Sequence, residues 1–316
     1  MSLDLLDTPV RLTWDLHGPD GLPGTVELLA IAERIFAGGV FYLTLEERPL
    51  AHPALAPLLD RLLGGGCRLL VTCRGTDEEL AALERFAPPL PAVELEVAPF
   101  VAGPQIDAAR LQRVLDRLRR AGSEATLRLT PLRSNLQVIS KILLLCRELG
   151  VGRFKLPNAR IGDTFRACPA VELPRWQELE AFRQSWAAAA LPAAALPALE
   201  IHDRFLWEIM TPANEQARSE YGGCQAANSL GHVDAHGTVY ACAAWPEPLG
   251  TLCSAPLEQI WQSPRRFAVR ERISQVPSGC VGCRDYPVCW GGCRGLGERL
   301  NTPGGGRDLM CRGPRP

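Results

Sequence analysis

The stretch that most constrains this chain is Cys280-Val281-Gly282-Cys283-Arg284-Asp285-Tyr286-Pro287-Val288-Cys289-Trp290-Gly291-Gly292-Cys293, a C-x2-C-x5-C-x3-C run. Cys311 follows it, and Cys224, Cys242 and Cys253 precede it, so eight of the twelve cysteines of a 316-residue chain stand in its final third. Thiols at this density either cross-link a fold or hold metal. The first residues, MSLDLLDTPVRL, carry acids where an export signal carries Lys or Arg. The most apolar stretch, 187–199, is broken by Pro192 and Pro197 and is too short to span a bilayer. These features predict a cytoplasmic protein without a membrane span, where a reducing milieu favours metal over disulfides. Lys plus Arg (34) nearly equals Asp plus Glu (35), leaving no basic field to recruit nucleic acid.

Ahead of the cysteines, short β-rich runs alternate with helical patterns. Val10–Leu16, Val40–Leu45, Arg68–Thr72, Val93–Val97, Thr126–Thr130 and Arg153–Leu156 read as six strands. Between them, a helix capped by Thr25 runs to Ala37 and stops at Gly38-Gly39. Others cover Pro57–Leu63, closed by Gly64-Gly65-Gly66, and Asp77–Phe86. Leu111, Val114, Leu115 and Leu118 recur at i, i+3, i+4, i+7, with Arg110, Arg113, Arg117 and Arg120 on a solvated face. Ser134-Asn135-Leu136-Gln137 has capping-box spacing and opens a helix to Leu149 that Gly150 ends. Strand–helix alternation implies parallel βαβ units. Periodicity leaves a partly closed barrel and an open doubly wound sheet equally open. From Ala170 the character changes to a helical stretch at Trp176–Ala190 followed by Pro192, Pro197 and Pro212.

In the last third, Asp234-Ala235-His236-Gly237 predicts a hairpin turn between Val233 and Thr238 that sets Cys242 at the end of the return strand. A C-x2-C pair places two thiolates on one tight turn. The glycines between Cys289 and Cys293 let backbone approach a bulky centre, whose sulfurs accept from backbone N–H groups. Iron–sulfur clusters and structural zinc both satisfy such spacing, and non-metal roles stay open. Eight thiols exceed the need of one tetrahedral zinc.

The order Cys224, twelve residues, Gly237-x4-Cys242, a gap, Cys280-x2-Cys283-x5-Cys289-x3-Cys293, a gap and Cys311 resembles the seven-cysteine SPASM domain. That domain follows the radical S-adenosylmethionine (SAM) barrel in enzymes that mature ribosomal peptides and activate sulfatases. Leu249-Gly250-Thr251-Leu252, Leu257-Glu258-Gln259-Ile260-Trp261 and Gly292-Cys293-Arg294-Gly295 are similar to the family's sequence, so the likeness covers Tyr221 to Cys311. It implies two 4Fe-4S clusters: Cys224, Cys242 and Cys293 on the first, with Cys253 a candidate fourth ligand, and Cys280, Cys283, Cys289 and Cys311 on the second. Asp308, three residues before Cys311, reads as a surface turn acid, with an oxygen ligand as the alternative. Cys67, Cys73, Cys146 and Cys168 read as small apolar or loop thiols.

The β/α half is similar to the radical SAM barrel with its chemistry removed. The family carries C-x3-C-x2-C in the loop after the first strand; here that loop is Leu16-His17-Gly18-Pro19-Asp20-Gly21-Leu22-Pro23-Gly24, and no cysteine occurs before Cys67. One imidazole at His17 does not replace three thiolates. The family's Gly-Gly-Glu-Pro, which receives the methionine amine of SAM, aligns with Glu46-Glu47-Arg48-Pro49, losing both the glycines and the countercharge. The resemblance therefore implies an α/β fold. A partial (β/α)6 TIM-like barrel would occupy 1–169, a helical linker 170–220 and a SPASM iron–sulfur domain 221–316, with no SAM bound. Such a chain resembles the accessory SPASM-domain protein of GeoRSP-type peptide-modification systems, implying as partners a true radical SAM/SPASM enzyme and a ribosomal precursor peptide. A stand-alone iron–sulfur oxidoreductase with an open-site first cluster, and a zinc-stabilised binding protein, are the alternatives.

Overall fold

The computed structural model describes residues 6–64, 66–86, 90, 92–162, 167–192, 196–211, 222–300 and 305–316. Gly65, Pro212 and the rest of 212–221, where the expected linker meets the cysteine-rich part, lie outside the described residues.

The first half alternates strand and helix as the sequence predicts. In chain order come β1 (Arg11–Asp15), α1 (Thr25–Ala37), β2 (Tyr42–Glu46), α2 (Leu55–Leu63), β3 (Arg68–Cys73), α3 (Asp77–Leu83) and β4 (Ala92–Glu96). A small ribbon, β5 (Val101–Ala102) with β6 (Gln105–Ile106), leads to α4 (Ala108–Arg120). Then follow β7 (Glu124–Arg128), α5 (Ile139–Glu148), β8 (Arg153–Leu156), α6 (Trp176–Ala189), β9 (Ala198–Ile201) and α7 (Arg204–Met210). The last third adds β10 (Leu230–Val233), β11 (Thr238–Cys242) and β12 (Trp245–Thr251). All but the ribbon join one mixed sheet in the order β12-β11-β10-β1-β2-β3-β4-β7-β8-β9. From β10 to β9 every neighbouring pair is parallel, whereas β11 and β12 are antiparallel additions.

From β1 to β9 the order never reverses, so the topological switch point of a doubly wound sheet is absent there. The sheet also curls. Six strand intervals separate β1 from β9, which in a flat sheet is about 29 Å at a spacing near 4.8 Å. Yet Arg11 on β1 pairs with Glu200 on β9 at 3.2 Å. Curvature brings β9 back within side-chain reach of β1.

Strand alternation sorts the two faces. Outward-pointing Leu12, Trp14, Leu43, Leu45, Val93, Leu95, Leu127 and Phe154 are buried under helices with apolar stripes. α1 buries Leu28, Ile31, Ala32 and Ile35; α2 buries Leu55, Leu58, Leu59 and Leu62; α4 buries Leu111, Val114, Leu115 and Leu118. Each set falls at i, i+3, i+4, i+7, one face of a 3.6-residue period. The concave face carries charge instead, because the registers Asp15↔Glu46, Glu96↔Arg128, Arg128↔Lys155 and Lys155↔Glu200 put these residues in one row.

Several local expectations change. α1 is preceded by Gly24 without a side-chain cap, and Thr25 is its first residue. The 134–137 capping box does not form, because Asn135 is engaged in a turn: its Oδ1 accepts from Leu132 N at 2.8 Å and its Nδ2 donates to Thr130 O at 3.0 Å. A 3-10 turn, Leu136–Val138, therefore precedes α5. α3 ends three residues early but carries a full capping box from Thr76 and Glu79.

Candidate metal centre

The hairpin forms as expected. Asp234 Oδ1 accepts from the His236 and Thr238 amides at 3.0 and 2.8 Å, and Gly237 takes φ 80° to close the turn. Cys242 then ends β11, paired with Trp245 across a tight return. The loop after β8 holds this return in place through Ile161 N donating to Ala243 O at 3.2 Å. The helix Arg294–Leu300 packs on it too, since a Cβ on Gly295 would collide with the Ala244 carbonyl. Arg270 fixes the other side, donating from Nη1 to the Cys224 and Ala226 carbonyls at 2.9 Å each. Burial pushes the Cys242 thiol up to about 12, and the neighbouring Cys224 adds to it. Cys293 is pushed well above its ordinary value by burial and then by Asp308, Cys224 and Cys242. These three thiols thus lie within one another's field.

A second group gathers at the end of the chain. Cys280 closes a 3-10 turn, and Cys283 N donates back to Cys280 O at 3.1 Å. The short helix Tyr286–Cys289 ends in Trp290, Gly291 and Gly292 at φ 52°, 80° and 70°, a left-handed run that reverses the backbone before Cys293. Burial pushes Cys280 up to about 11, and Cys311, Cys289 and Cys283 add to it; burial also raises Cys289 and Cys311. Backbone amides already face these sulfurs: Arg315 N donates to Cys283 Sγ at 3.3 Å and Gly313 N to Cys311 Sγ at 3.4 Å.

All twelve cysteines are free thiols. Among the described residues, no three His, Cys, Asp or Glu side chains stand close enough to hold one metal ion. A tetrahedral zinc with Zn–S near 2.3 Å would need its sulfurs roughly 3.8 Å apart. Backbone amides that donate to sulfur, as those of Arg315 and Gly313 do here, are one of the features that suit iron–sulfur ligation.

Two single-residue expectations meet a different geometry. Cys253 is exposed and donates to His236 O at 3.3 Å, at the turn end of the hairpin. Cys242 is at the opposite end of β11, about 14 Å away along the strand. The structure does not bring Cys253 to Cys224, Cys242 and Cys293. Asp308 is not a surface acid: it is 1% exposed, accepting from Cys293 N at 2.6 Å and Met310 N at 2.8 Å. Its near neighbours in sequence give no hint, because the burial comes from distant segments. Cys73 and Cys146 are core thiols, while Cys67 and Cys168 are half-buried.

At the carboxyl ends of the parallel strands the concave face is filled by ions. Arg160, on the loop after β8, bonds Asp15, reaches Glu46 at 2.9 Å and Glu47 at 3.0 Å, and touches His232 Nε2 at 3.3 Å. Arg128 bonds Glu46 at 2.6 Å and Glu94 at 3.2 Å, and Lys155 bonds Glu94 at 2.5 Å. All these residues are at least nine-tenths buried. Burial alone would raise Glu46, but Arg128 and Arg160 outweigh it and hold it at about 2. Burial drives Asp15 up to about 6 against the pull of Arg160, and drives His232 down to about 3. Glu47 and Arg48 both take φ near 55°, a left-handed conformation that costs a non-glycine residue about 1–2 kcal/mol. His17, buried against His52 with ring centroids 5.5 Å apart, is pushed down to about 4 by burial. A cavity of about 230 Å³ opens beside this network, lined by Glu46, Glu47, Arg128, Arg160 and Cys168 among others. The sequence pattern did not reveal the network, though Glu94, Arg128 and Lys155 are charges in short apolar strands, and that period-2 placement was its signal.

Residues 224–284 match the SPASM family, an iron–sulfur cluster-binding domain. That match contains Cys224, Cys242, Cys253, Cys280 and Cys283, a narrower span than the 221–311 likeness. No curated protein matches the chain by sequence. The fold is similar to Streptococcus suis SuiB bound to S-adenosylmethionine, with TM-score 0.70 and 13% identity over 98% of this chain and 78% of that one. SuiB bound to its precursor peptide SuiA gives TM-score 0.68 and 14% identity over 98% and 77% of the two chains. Native anSMEcpe with bound AdoMet gives TM-score 0.63 and 12% identity over 96% and 94%. The chain thus carries a SPASM iron–sulfur domain on a fold like that of radical SAM/SPASM enzymes. Among the described residues, no helix is long and apolar enough to cross a membrane.

Proposed function

We propose that this protein is an iron–sulfur partner of a radical SAM peptide maturase and does not itself cleave SAM, the role of GeoRSP-type accessory SPASM proteins. The observation that carries it is the buried ion network. Arg160 pairs with Asp15, Glu46 and Glu47 at the strand ends where the aligned Gly-Gly-Glu-Pro of the family receives SAM. The loop 16–24 between β1 and α1 has no cysteine to hold a SAM-cleaving cluster. The salt bridges at the strand ends resist a zwitterionic ligand there, because breaking them strands buried charge. We read the curled sheet as a partial barrel kept as scaffold.

In this reading Cys224, Cys242 and Cys293 hold a first cluster, and Cys280, Cys283, Cys289 and Cys311 a second. When bound, 4Fe-4S groups supply one-electron transfer. The chain's part is to bury the thiols, aim the Gly313 and Arg315 amides at sulfur, and set Arg294 near Cys280. SuiB is known bound to a precursor peptide, and in this reading the cavity at the strand ends here is where a peptide is presented. A cytoplasmic setting and the absence of nucleic-acid or membrane partners belong to the same reading. The test is anaerobic incubation with SAM and dithionite, following 5′-deoxyadenosine, alone and with a radical SAM maturase and its peptide. No product from this chain alone, with faster maturation when it is added, supports the proposal; cleavage by this chain alone refutes it.

A further inference from the structure

Cys224, Cys242 and Cys293 are three donors for a cube with four corners, and Cys253 stands at the wrong end of β11. The side chain that does stand beside one of them, Cys293, is Asp308. We propose that Asp308 supplies the fourth, oxygen ligand of the first cluster, an inference that rests on the cluster reading above. Its Oδ2 lies 2.6 Å from the amide nitrogen of Cys293, itself one of the three thiol donors. Gly292 makes this approach feasible: a Cβ there would sit 2.6 Å from Asp308 Oδ2 and 2.8 Å from the Phe205 ring.

Two features separate Asp308 from a structural turn acid. It is 1% exposed, yet among the described residues no Lys or Arg forms an ion pair with it. The charge that acts on it is another buried carboxylate, Asp203, whose Oδ2 has no hydrogen-bond partner. A buried ionised carboxylate without a cation is costly, and it is relieved by taking up a proton or by binding metal. Its accepting capacity is also only partly used. A carboxylate offers about four lone-pair sites, and the Cys293 and Met310 amides engage one on each oxygen. Those two bonds fix the carboxylate while leaving each oxygen able to face iron.

The test reconstitutes the full chain anaerobically with the Mössbauer isotope of iron and compares wild type, Asp308→Cys and Asp308→Asn by Mössbauer and EPR spectroscopy. The wild type should show about one iron in eight with the higher isomer shift of an oxygen-ligated site. Asp308→Cys should keep its iron and lose that site. Asp308→Asn, which still accepts from the Cys293 amide, should lose iron or its EPR signature at one centre only. A wild type with about eight irons and no oxygen-ligated site overturns this inference and leaves the cluster reading standing. So does an Asp308→Asn spectrum identical to wild type. A wild type that binds no iron sinks both. The wild-type spectrum decides the matter even where a variant fails to fold.

Discussion

Arg160 is the residue on which the interior depends. It ties Asp15, Glu46 and Glu47 together from a loop that also leads to the hairpin beside Cys242. Removing one partner of a buried ionic group leaves charge uncompensated, so Arg160→Leu should lower stability by about 3–5 kcal/mol in urea unfolding. Arg113→Ala, on the exposed face of α4, should stay within about 0.5 kcal/mol. Equal losses from the two would show that the network is not what holds the interior. The same cluster predicts a pH dependence. His232 is neutral when folded, pushed from an ordinary 6.5 to about 3, so its contribution is present above pH 6.5 and is lost as pH falls toward 3. Glu46, lowered to about 2, acts in the same direction between 4.5 and 2. Asp15, raised to about 6, opposes them between 6 and 3.8, where the native state holds the extra proton. His232→Gln should therefore flatten the fall in stability between pH 6.5 and 5, by at most about 1.4 kcal/mol per pH unit. An unchanged slope would mean that His232 titrates normally in the folded protein.

At the scale of elements, two glycines of the cysteine run separate backbone strain from packing. Gly282 takes φ 74° with nothing within 4 Å of where a Cβ would stand, whereas Gly292 at φ 70° lies against Asp308 and Phe205. Gly282→Ala should cost only the backbone term, about 1–2 kcal/mol. Gly292→Ala should cost more and should release iron from the first centre selectively, read as metal content beside the melting temperature. Equal effects at the two positions would contradict the packing assigned to Gly292. Helix and strand positions were largely legible in the sequence, because period 3.6 in α4 and apolar runs in β2 or β3 are local signals. What was not legible came from distance in sequence. Asn135 is spent on Thr130 and Leu132 instead of a cap. Asp308 is buried against Gly292. The C-x2-C spacing shows which cysteines cluster along the chain but not that Cys253 stands at the opposite end of a strand from Cys242.

On the scale of the whole molecule, one curled sheet continues from the β/α half into the hairpin of the SPASM domain, since β10 pairs with β1. Packing joins the halves: Ala159, Ile161, Leu173, Ala244 and Leu296 form a small core that Cys242 and Cys293 touch. Damage to the β/α half should therefore be felt at the thiols. Leu115→Ala, which empties the α4 stripe, should cost about 2–5 kcal/mol, and Arg160→Leu should lower iron retention as well as stability. Unchanged iron retention in Arg160→Leu would uncouple the two halves. The proposed function requires two clusters in the last third and none in the β/α half. Counting iron, acid-labile sulfide and zinc per chain after anaerobic reconstitution tests it most directly. About eight irons and eight sulfides, with no zinc, is the expected result. About twelve irons would restore a cluster to the β/α half, and stoichiometric zinc in a colourless protein would remove the clusters altogether; either result contradicts the proposed function.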